Sequence, residues 1–368
     1  MKTGLTHRIL FAGFTLGLSL AFAACTTASP EENLDDGSVP VDVSPGPDES
    51  DPTEEPCVNT FTLQDTVPAL LSETGLYDNI TDKSIHPLVK SFTPRFQLWS
   101  DGASKARWVY LPECDPVINT QDMNDWSLPV GTRLFKEFAI DGVKVETRLI
   151  ERFGLGKRDF RYATYLWDDD ENDARLVAPE GLANAKGTQH DVPSLVSCRR
   201  CHGDYAYGGG RPSRALGFGA MQLNHDSAGF TLAQAAEQGY LSTEPPEFIL
   251  PGDTTTQDAL GYLHVNCGVC HNSSVDGLPQ ANMNLWWDIE ATTLEATSAY
   301  QTAIGQPSQI FNDQHVGGRI VAGDAEASAV YYRMSQRGNN AQMPPVGSEV
   351  VDTEGLAIIR SWIEGLEP

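Results

Sequence analysis

The fold of this chain is decided by the stretch RLFKEFAIDGVKVETRLI, residues 133–150. Its two arms, residues 133–140 and 143–150, alternate apolar and polar side chains, and a period of two is typical of a half-buried β-strand. Asp141-Gly142 lies between the arms, and a type I′ turn favours this pair because both of its central residues need positive φ. The stretch therefore predicts an antiparallel hairpin with a two-residue turn.

Strand patterns continue on both sides of this hairpin. Residues 160–167 and 174–177 predict a second hairpin around an acidic tip, and residues 96–99 and 107–111 predict strands around the turn Ser100-Asp101-Gly102. We therefore expect residues 57–185 to form a mainly-β domain with an antiparallel, sandwich-like sheet. Few strand patterns follow, and many Gly and Pro residues separate short helical patterns, so we expect a mainly-α region after the sheet.

The pentapeptide CxxCH occurs twice, as Cys198-Arg199-Arg200-Cys201-His202 and as Cys267-Gly268-Val269-Cys270-His271. It is the sequence pattern of covalent c-type haem attachment. On a helical turn, positions i, i+3 and i+4 share one face, so that two thiols can meet the haem vinyl groups while the imidazole reaches the iron. We therefore expect two covalently bound haem c groups, one in residues 186–252 and one in residues 253–368. The attachment residues are Cys198, Cys201, Cys267 and Cys270, and the proximal iron ligands are His202 and His271.

A zinc site is the alternative for the same residues, since four Cys and two His at short spacings also satisfy tetrahedral ligation. The N-terminus decides between the two. Residues 1–24 contain Lys2 and Arg8 and then an apolar run that ends in small residues, which is typical of a secretory signal peptide. Haem attachment outside the cytosol needs such export. The apolar run is shorter than the roughly 20 residues that a membrane-spanning helix requires.

The signal ends in LAFAAC, residues 20–25, which resembles a bacterial lipoprotein box whose Cys25 is lipidated. The alternative is a soluble exported protein with a stray cysteine. Residues 25–56 would then hold the lipidated Cys25 and a disordered tether, because residues 26–56 contain ten Asp or Glu, six Pro and no Lys or Arg. Thr26 stands where an Asp would signal inner-membrane retention. We therefore expect an exported protein in the periplasm or at the cell surface, anchored by lipid to the outer membrane.

The remaining cysteines form a pair. Of seven Cys, four are assigned to haem and one to lipid, which leaves Cys57 and Cys114. In an oxidising compartment we expect these two to form a disulfide. Two separate buried thiols are the alternative.

The charge of the chain bears on its partners. There are 25 Lys and Arg against 50 Asp and Glu, for a formal net charge of −25. Such a surface repels the phosphate backbone, so nucleic acid is excluded as a partner. We expect a redox partner protein and a membrane contact through the N-terminal lipid.

Distal iron ligands are suggested by chemistry. Met343 precedes two prolines, 72 residues after His271, and a thioether on a stiff loop suits the second iron. Met343 as ordinary core filler is the alternative, with Met334 or Met283 as the ligand. For the first iron four candidates stay open: Met221, His225, His190 and His264.

Two helices complete the second haem segment. Thr255 or Thr256 is predicted to cap a helix that carries the second CxxCH at its end. Asp352 or Thr353 is predicted to cap a terminal helix with one apolar stripe. The stripe consists of Leu356, Ile359, Ile363 and Leu366.

These motifs together carry a resemblance. Residues 266–271, Met343-Pro344-Pro345 and Trp362-Ile363 resemble class I cytochrome c domains. More widely, residues 99–102, 130–138, 146–148 and 216–218 (WSDG, VGTRLFKEF, ETR and LGF) look like a family of secreted bacterial dihaem c-type cytochromes. The resemblance covers roughly residues 90–366 and implies a cytochrome c-like haem region after the β domain. It also implies His202 and His271 as proximal ligands and Met343 as the distal ligand of the second haem.

The patterns predict a membrane-tethered dihaem protein that transfers electrons in the cell envelope. One alternative is a haem peroxidase, which an open sixth position on the first iron would favour, or the electron-accepting subunit of a periplasmic dehydrogenase. Another is a carbohydrate- or polymer-binding protein with redox-sensing haems. In that case six aromatic residues would line a groove on the sheet: Trp99, Trp108, Trp126, Tyr162, Tyr165 and Trp167.

Overall fold

Eight strands form two antiparallel sheets in the part of the chain that the structure describes. In chain order they are β1 (Tyr77–Asn79), β2 (Ser84–Ile85), β3 (Val89–Ser91), β4 (Ser104–Tyr110), β5 (Arg133–Ile140), β6 (Val143–Arg152), β7 (Phe160–Trp167) and β8 (Ala174–Leu176). The first two strands make a small ribbon, and β3 to β8 follow one another as a six-stranded meander. The mainly-β expectation for this region is confirmed.

Both predicted hairpins are present. β5 and β6 pair across Asp141 and Gly142, whose φ values are 50° and 83°, as a type I′ turn requires. β7 and β8 form the second hairpin around the acidic tip, with Trp167 opposite Ala174.

The strand predicted for residues 96–99 is wrong. The backbone N–H of Phe96 donates to the side chain of Gln222 at 3.0 Å, and that of Trp99 donates to Asn266 at 2.8 Å. These donors bond to side chains from the second half of the chain, so no strand ladder forms here. The segment instead ties the sheet to the region of the second CxxCH.

The two faces of the meander have different coverings. One face packs Tyr110, Phe135 and Trp167 against Leu71 and Leu76 of the N-terminal segment. The opposite face packs Val109, Leu134 and Phe160 against apolar residues that follow the first CxxCH, among them Phe218, Leu223 and Phe230. Loops and short helices therefore cover this sheet, and the described part of the chain does not form the second large sheet of the expected sandwich.

Short helices follow the sheet: α1 (Leu195–His202), α2 (Ala220–Leu223), α3 (Leu232–Glu237), α4 (Thr254–Leu263), α5 (Ser298–Ala303), α6 (Ala329–Met334) and α7 (Thr353–Gly365). The cap of α4 is Asp253, whose side chain accepts from the backbone N–H of Thr256 at 2.9 Å. The predicted caps Thr255 and Thr256 are therefore wrong, because both lie inside the first turn. Asp352 caps α7, as predicted.

A separate apolar core joins these later helices. Leu260 and Leu263 of α4 pack with Ile359, Trp362 and Ile363 of α7. The predicted stripe of α7 thus faces this core, with Leu356 and Leu366 at its partly buried margin.

The described residues are 56–156, 159–202, 215–273 and 282–367. The predicted signal peptide, Cys25 and the acidic tether lie outside them. Pro56–Pro368 form one compact unit. Cys57 and Cys114 are joined by the predicted disulfide, with their Cα atoms 5.7 Å apart. No helix in the described ranges is both long enough and apolar enough to cross a bilayer.

Candidate functional site

The first CxxCH lies on α1. The backbone N–H of Cys198 donates to the Ser194 carbonyl at 3.0 Å, which starts a regular helical turn. Cys198, Cys201 and His202 therefore share one face of the helix. α1 packs beside β7, and the His202 ring lies 5.4 Å from the ring of Tyr162 on that strand, measured between ring centroids.

The second CxxCH begins where α4 widens into a π-helical turn, His264–Gly268. The backbone N–H groups of Cys270 and His271 both donate to the Cys267 carbonyl, at 3.0 and 2.8 Å. Gly268 is needed within the motif, because a Cβ there would lie 2.8 Å from the Leu285 carbonyl oxygen. The motif is therefore packed closely against the chain that follows it.

The two motifs lie close together, although they are 69 residues apart in the sequence. Burial raises the pKa of the Cys201 thiol to about 11, and the nearby Cys270 and Cys198 thiols add to the effect. Within the described residues, none of the four CxxCH cysteines is in a disulfide, whereas Cys57 and Cys114 are bridged.

The thiols lie in half-buried positions. Burial raises the pKa of Cys198 and raises that of Cys267 to about 12. The same cysteines are nevertheless partly exposed. The thiols are therefore surrounded by protein on several sides and still accessible in part.

His271 has the properties of an iron ligand. Burial, together with the positive charges of Arg333 and Arg319, lowers the pKa of its imidazole to about 4. The ring is therefore neutral at physiological pH, and a neutral imidazole is the form that binds metals. Its buried Nδ1 has no hydrogen-bond partner among the residues that the structure describes.

Met343 lies on the loop after α6, close to Arg333, whose positive charge lowers the pKa of His271. Its backbone N–H donates to the Arg333 carbonyl at 3.1 Å. Met343 is half-buried, whereas Met334 and Met221 are buried in the core around α4 and α7, and Met283 packs against that core. Among the described methionines just named, Met343 is the one outside the apolar clusters.

The candidates for the first distal ligand have other contacts. His225 uses both ring nitrogens, because Nε2 lies 2.6 Å from the Thr93 carbonyl oxygen and Nδ1 lies 2.5 Å from Ser227 Oγ. His190 Nε2 lies 2.6 Å from Glu146 Oε1. His264 Nδ1 accepts from the Trp287 backbone N–H at 3.0 Å.

A line of cations crosses the sheet face that α1 covers. Arg107 on β4 is directly opposite Lys136 on β5, and Lys136 is directly opposite Arg148 on β6. Lys105 lies two residues before Arg107 and so shares this face. We call these four residues the basic row. The charge of Arg148 acts on the Cys198 and Cys201 thiols, which places one end of the row beside the first motif.

The basic row is poorly compensated. Glu146 is the carboxylate on the same face, and it binds Arg148 at 3.1 Å and contacts His190. In the described ranges, no ion pair involves Lys105, Arg107 or Lys136. Sequence reasoning missed this row.

The aromatic residues proposed for a groove lie in different clusters. Tyr165 and Trp167 are buried on one face of the sheet with Trp108 beside them. Trp126 and Tyr162 pack on the opposite face, and Trp99 donates from Nε1 to the Val350 carbonyl at 2.9 Å. They therefore do not line one common surface.

The zinc alternative requires a cluster of ligating side chains. Within the described ranges, no three His, Cys, Asp or Glu side chains cluster in a way that could hold a metal ion. A tetrahedral zinc site needs such a cluster. A haem needs fewer protein ligands, because the porphyrin supplies four of the ligands to its iron and the chain adds only the axial ones.

Comparisons of the chain with models of protein families, with curated proteins and with solved structures found no match.

Proposed function

We propose that this protein is a dihaem c-type cytochrome that transfers electrons in the cell envelope. The observation that carries the proposal is the meeting of the two CxxCH motifs. Cys201 and Cys270 lie near each other, and within the described residues none of the four motif cysteines is in a disulfide. In an exported chain that bridges Cys57 and Cys114, other partly exposed thiols would be expected to oxidise too. Thioether formation would account for the four that do not.

The roles of the residues follow from their positions. Cys198 and Cys201 would attach one haem from α1, and Cys267 and Cys270 the other from the turn after α4. His202 and His271 would be the proximal ligands. When bound, each haem supplies an iron that gains and loses one electron. The protein holds each imidazole in place and keeps the His271 ring neutral by burial.

Met343 is proposed as the distal ligand of the second iron. Its loop bonds to Arg333, whose charge also acts on His271, so the loop and the imidazole adjoin the same side chain. Its exclusion from the apolar clusters supports this role over that of core filler.

The region around α4 and α7 is proposed to be cytochrome c-like. The helix that leads into the second CxxCH packs on the terminal helix, and the contact is close. A Cβ at Gly355 of α7 would come within 2.2 Å of the Tyr262 ring of α4. Such a helix pair would position the second motif rigidly against the end of the chain.

The surroundings of the protein are also proposals. A signal peptide and a lipidated Cys25 would anchor it outside the cytosol, with the outer membrane as the favoured site. The net charge of −25 suits a redox partner with a basic docking surface and disfavours nucleic acid.

The test is haem staining of the full chain after denaturing electrophoresis, together with a pyridine haemochrome spectrum, from a host that attaches haem in its periplasm. We expect two haems per chain. The double variant Cys198→Ala/Cys201→Ala should retain one haem, and so should Cys267→Ala/Cys270→Ala. The matched control Cys57→Ala/Cys114→Ala should retain both. A colourless wild-type polypeptide, with or without zinc, would refute the proposal.

A further inference from the structure

We propose that Arg107 and Lys136 bind the propionate carboxylates of a haem held over this face of the sheet. This inference rests on the proposed function, because it needs a haem attached at the first CxxCH motif.

The sheet face that carries the basic row has an excess of positive charge. The basic row brings four cations to one face of the sheet, and Glu146 is the carboxylate beside them. Glu146 already binds Arg148 and contacts His190. Lys105 donates to the Leu98 carbonyl at 2.9 Å. The negative charges of Asp352 and Asp101 also stabilise its ammonium group. The charges left over are those of Arg107 and Lys136.

The charges of Arg107 and Lys136 are withdrawn from solvent. Arg107 is only 7 % exposed, and neither a hydrogen bond nor an ion pair of its guanidinium occurs within the described ranges. The Lys136 ammonium lies 4.7 Å from the Phe138 ring centroid, which is a weak substitute for an anion. Burial lowers the pKa of Arg107 to about 10, and it lowers that of Lys136 well below its ordinary value, with further contributions from the neighbouring cations.

Two neighbouring buried cations need an anion as their partner. A buried charge is costly unless it is paired, so two neighbouring unpaired cations indicate a missing anion. Lys136 is deep within the molecule and yet partly exposed, as the CxxCH thiols are. Lys136 therefore has the same half-buried character as the attachment residues. The charge of Lys136 also acts on Cys201, which places the two side chains near each other.

The layout of a haem matches the layout of the basic row. A haem carries two carboxylates on the edge of the porphyrin away from its thioether-bearing edge. Arg148 is the end of the row nearest the thiols of α1, and Arg107 lies two strands further on, about 10 Å at the usual strand spacing. A haem attached at α1 would thus turn its carboxylates towards Arg107 and Lys136, which a guanidinium and an ammonium can bind by charge-assisted hydrogen bonds.

The experiment is a spectroelectrochemical titration of the full holoprotein. Arg107→Gln and Lys136→Gln each remove one positive charge near a propionate, so the ferric form is favoured and the midpoint potential of one haem should fall. The charge-conserving variants Arg107→Lys and Lys136→Arg should stay close to wild type. Arg175→Gln removes a charge from exposed β8 and is the matched control.

The pH dependence provides a second readout. A propionate held by two cations stays ionised, so the wild-type potential should be flat from about pH 5 to about pH 9. In the Gln variants the carboxylate loses its partner and its pKa rises, so the potential should climb as the pH falls. If a Gln variant does not fold, the potential of the haem at Cys198 and Cys201, measured in Cys267→Ala/Cys270→Ala, decides the matter. A potential of this haem that climbs as the pH falls would overturn the inference.

Other outcomes separate the possible failures. If both haems are present but the Gln variants match Arg175→Gln in potential and pH profile, this inference is overturned and the proposed function stands. If no haem is attached, the proposed function itself fails. Asp204 and Asp276 lie outside the described residues. If Asp204→Asn or Asp276→Asn raises the potential by about as much as Lys136→Gln lowers it, the row pairs with a protein carboxylate and the inference fails.

Discussion

At the scale of single residues, the candidate site depends on a few side chains whose protonation is set by burial. The His271 imidazole is kept neutral, the Cys201 and Cys267 thiols are kept protonated, and the described residues provide no ion-pair partner for Arg107 or Lys136. A neutral imidazole and free thiols are what haem attachment requires, and unpaired cations are what haem carboxylates would neutralise.

Met343 provides the first prediction at this scale. Thioether ligation favours ferrous iron, so a Met/His pair raises the potential of a haem relative to two nitrogen ligands. Met343→His should lower the potential of the second haem and keep its iron six-coordinate, whereas Met343→Ala should leave an open or water-bound site. The potential of the first haem should hardly respond.

The measurement is a redox titration combined with the near-infrared band of sulfur-to-iron charge transfer in the oxidised protein. Met334→Leu is the control, because Met334 is buried in the apolar core. Survival of the band in Met343→Ala, with both potentials unchanged, would transfer the ligand role to Met334 or Met283.

Glu146 provides a prediction on pH. Burial by itself raises the pKa of this carboxyl, but the charge of Arg148 and the contact with His190 outweigh it, so the pKa is lowered. A lowered pKa in the folded state stabilises the protein above the unfolded-state value of about 4.3. That contribution is lost as the pH falls through the lower folded-state pKa.

Glu146→Gln should therefore lower the stability at neutral pH and flatten its decline in acid. Urea unfolding at a series of pH values measures both effects. The exposed Glu180→Gln should leave the curve unchanged. An acid limb in Glu146→Gln as steep as in wild type would show that other carboxylates control it.

At the scale of elements, local patterns predicted much of the sheet and the terminal helix. Alternation and the Asp141-Gly142 turn were enough for β5 and β6, and one apolar stripe with an Asp cap was enough for α7. The segment 96–99 could not be predicted, because its backbone donors are satisfied by Gln222 and Asn266, which are distant in sequence.

The basic row could not be predicted for a similar reason. An uninterrupted two-residue hairpin would place Lys136 opposite Thr147. The pairing shifts by one residue between Phe138 and Ala139, so Lys136 lies opposite Arg148 instead. A β-bulge leaves no strong local signal in this sequence, and it decides which charges share a face. The CxxCH residues needed no such information, since their spacing alone places them together on a turn.

The disulfide provides the prediction at this scale. Cys57 and Cys114 tie the N-terminal segment to the loop after β4. In the chain-entropy model, a loop of this length stabilises the fold by about 4 kcal/mol. Cys57→Ser/Cys114→Ser should therefore unfold at a lower denaturant concentration while it retains both haems. Non-reducing peptide mapping that recovers two free thiols from wild type would contradict the pairing itself.

At the scale of the whole molecule, one sheet brings distant parts of the chain to a common centre. One of its faces is closed by the N-terminal segment. The other carries the basic row and lies beneath the first motif, and the segment from β3 to β4 bonds to the region of the second. The β-rich half thus supports both CxxCH motifs. This common support explains why Cys201 and Cys270 are neighbours.

The central claim is that two haems are attached side by side, and electron paramagnetic resonance with spin quantitation tests it most directly. The fully oxidised full-length protein is compared with the two double variants that each lack one motif. We predict two ferric haem spins per chain in wild type, with a magnetic interaction that disappears when either motif is removed. A wild-type spectrum equal to the sum of the two single-motif spectra would contradict the neighbouring arrangement, and the absence of any ferric haem signal would contradict the account as a whole.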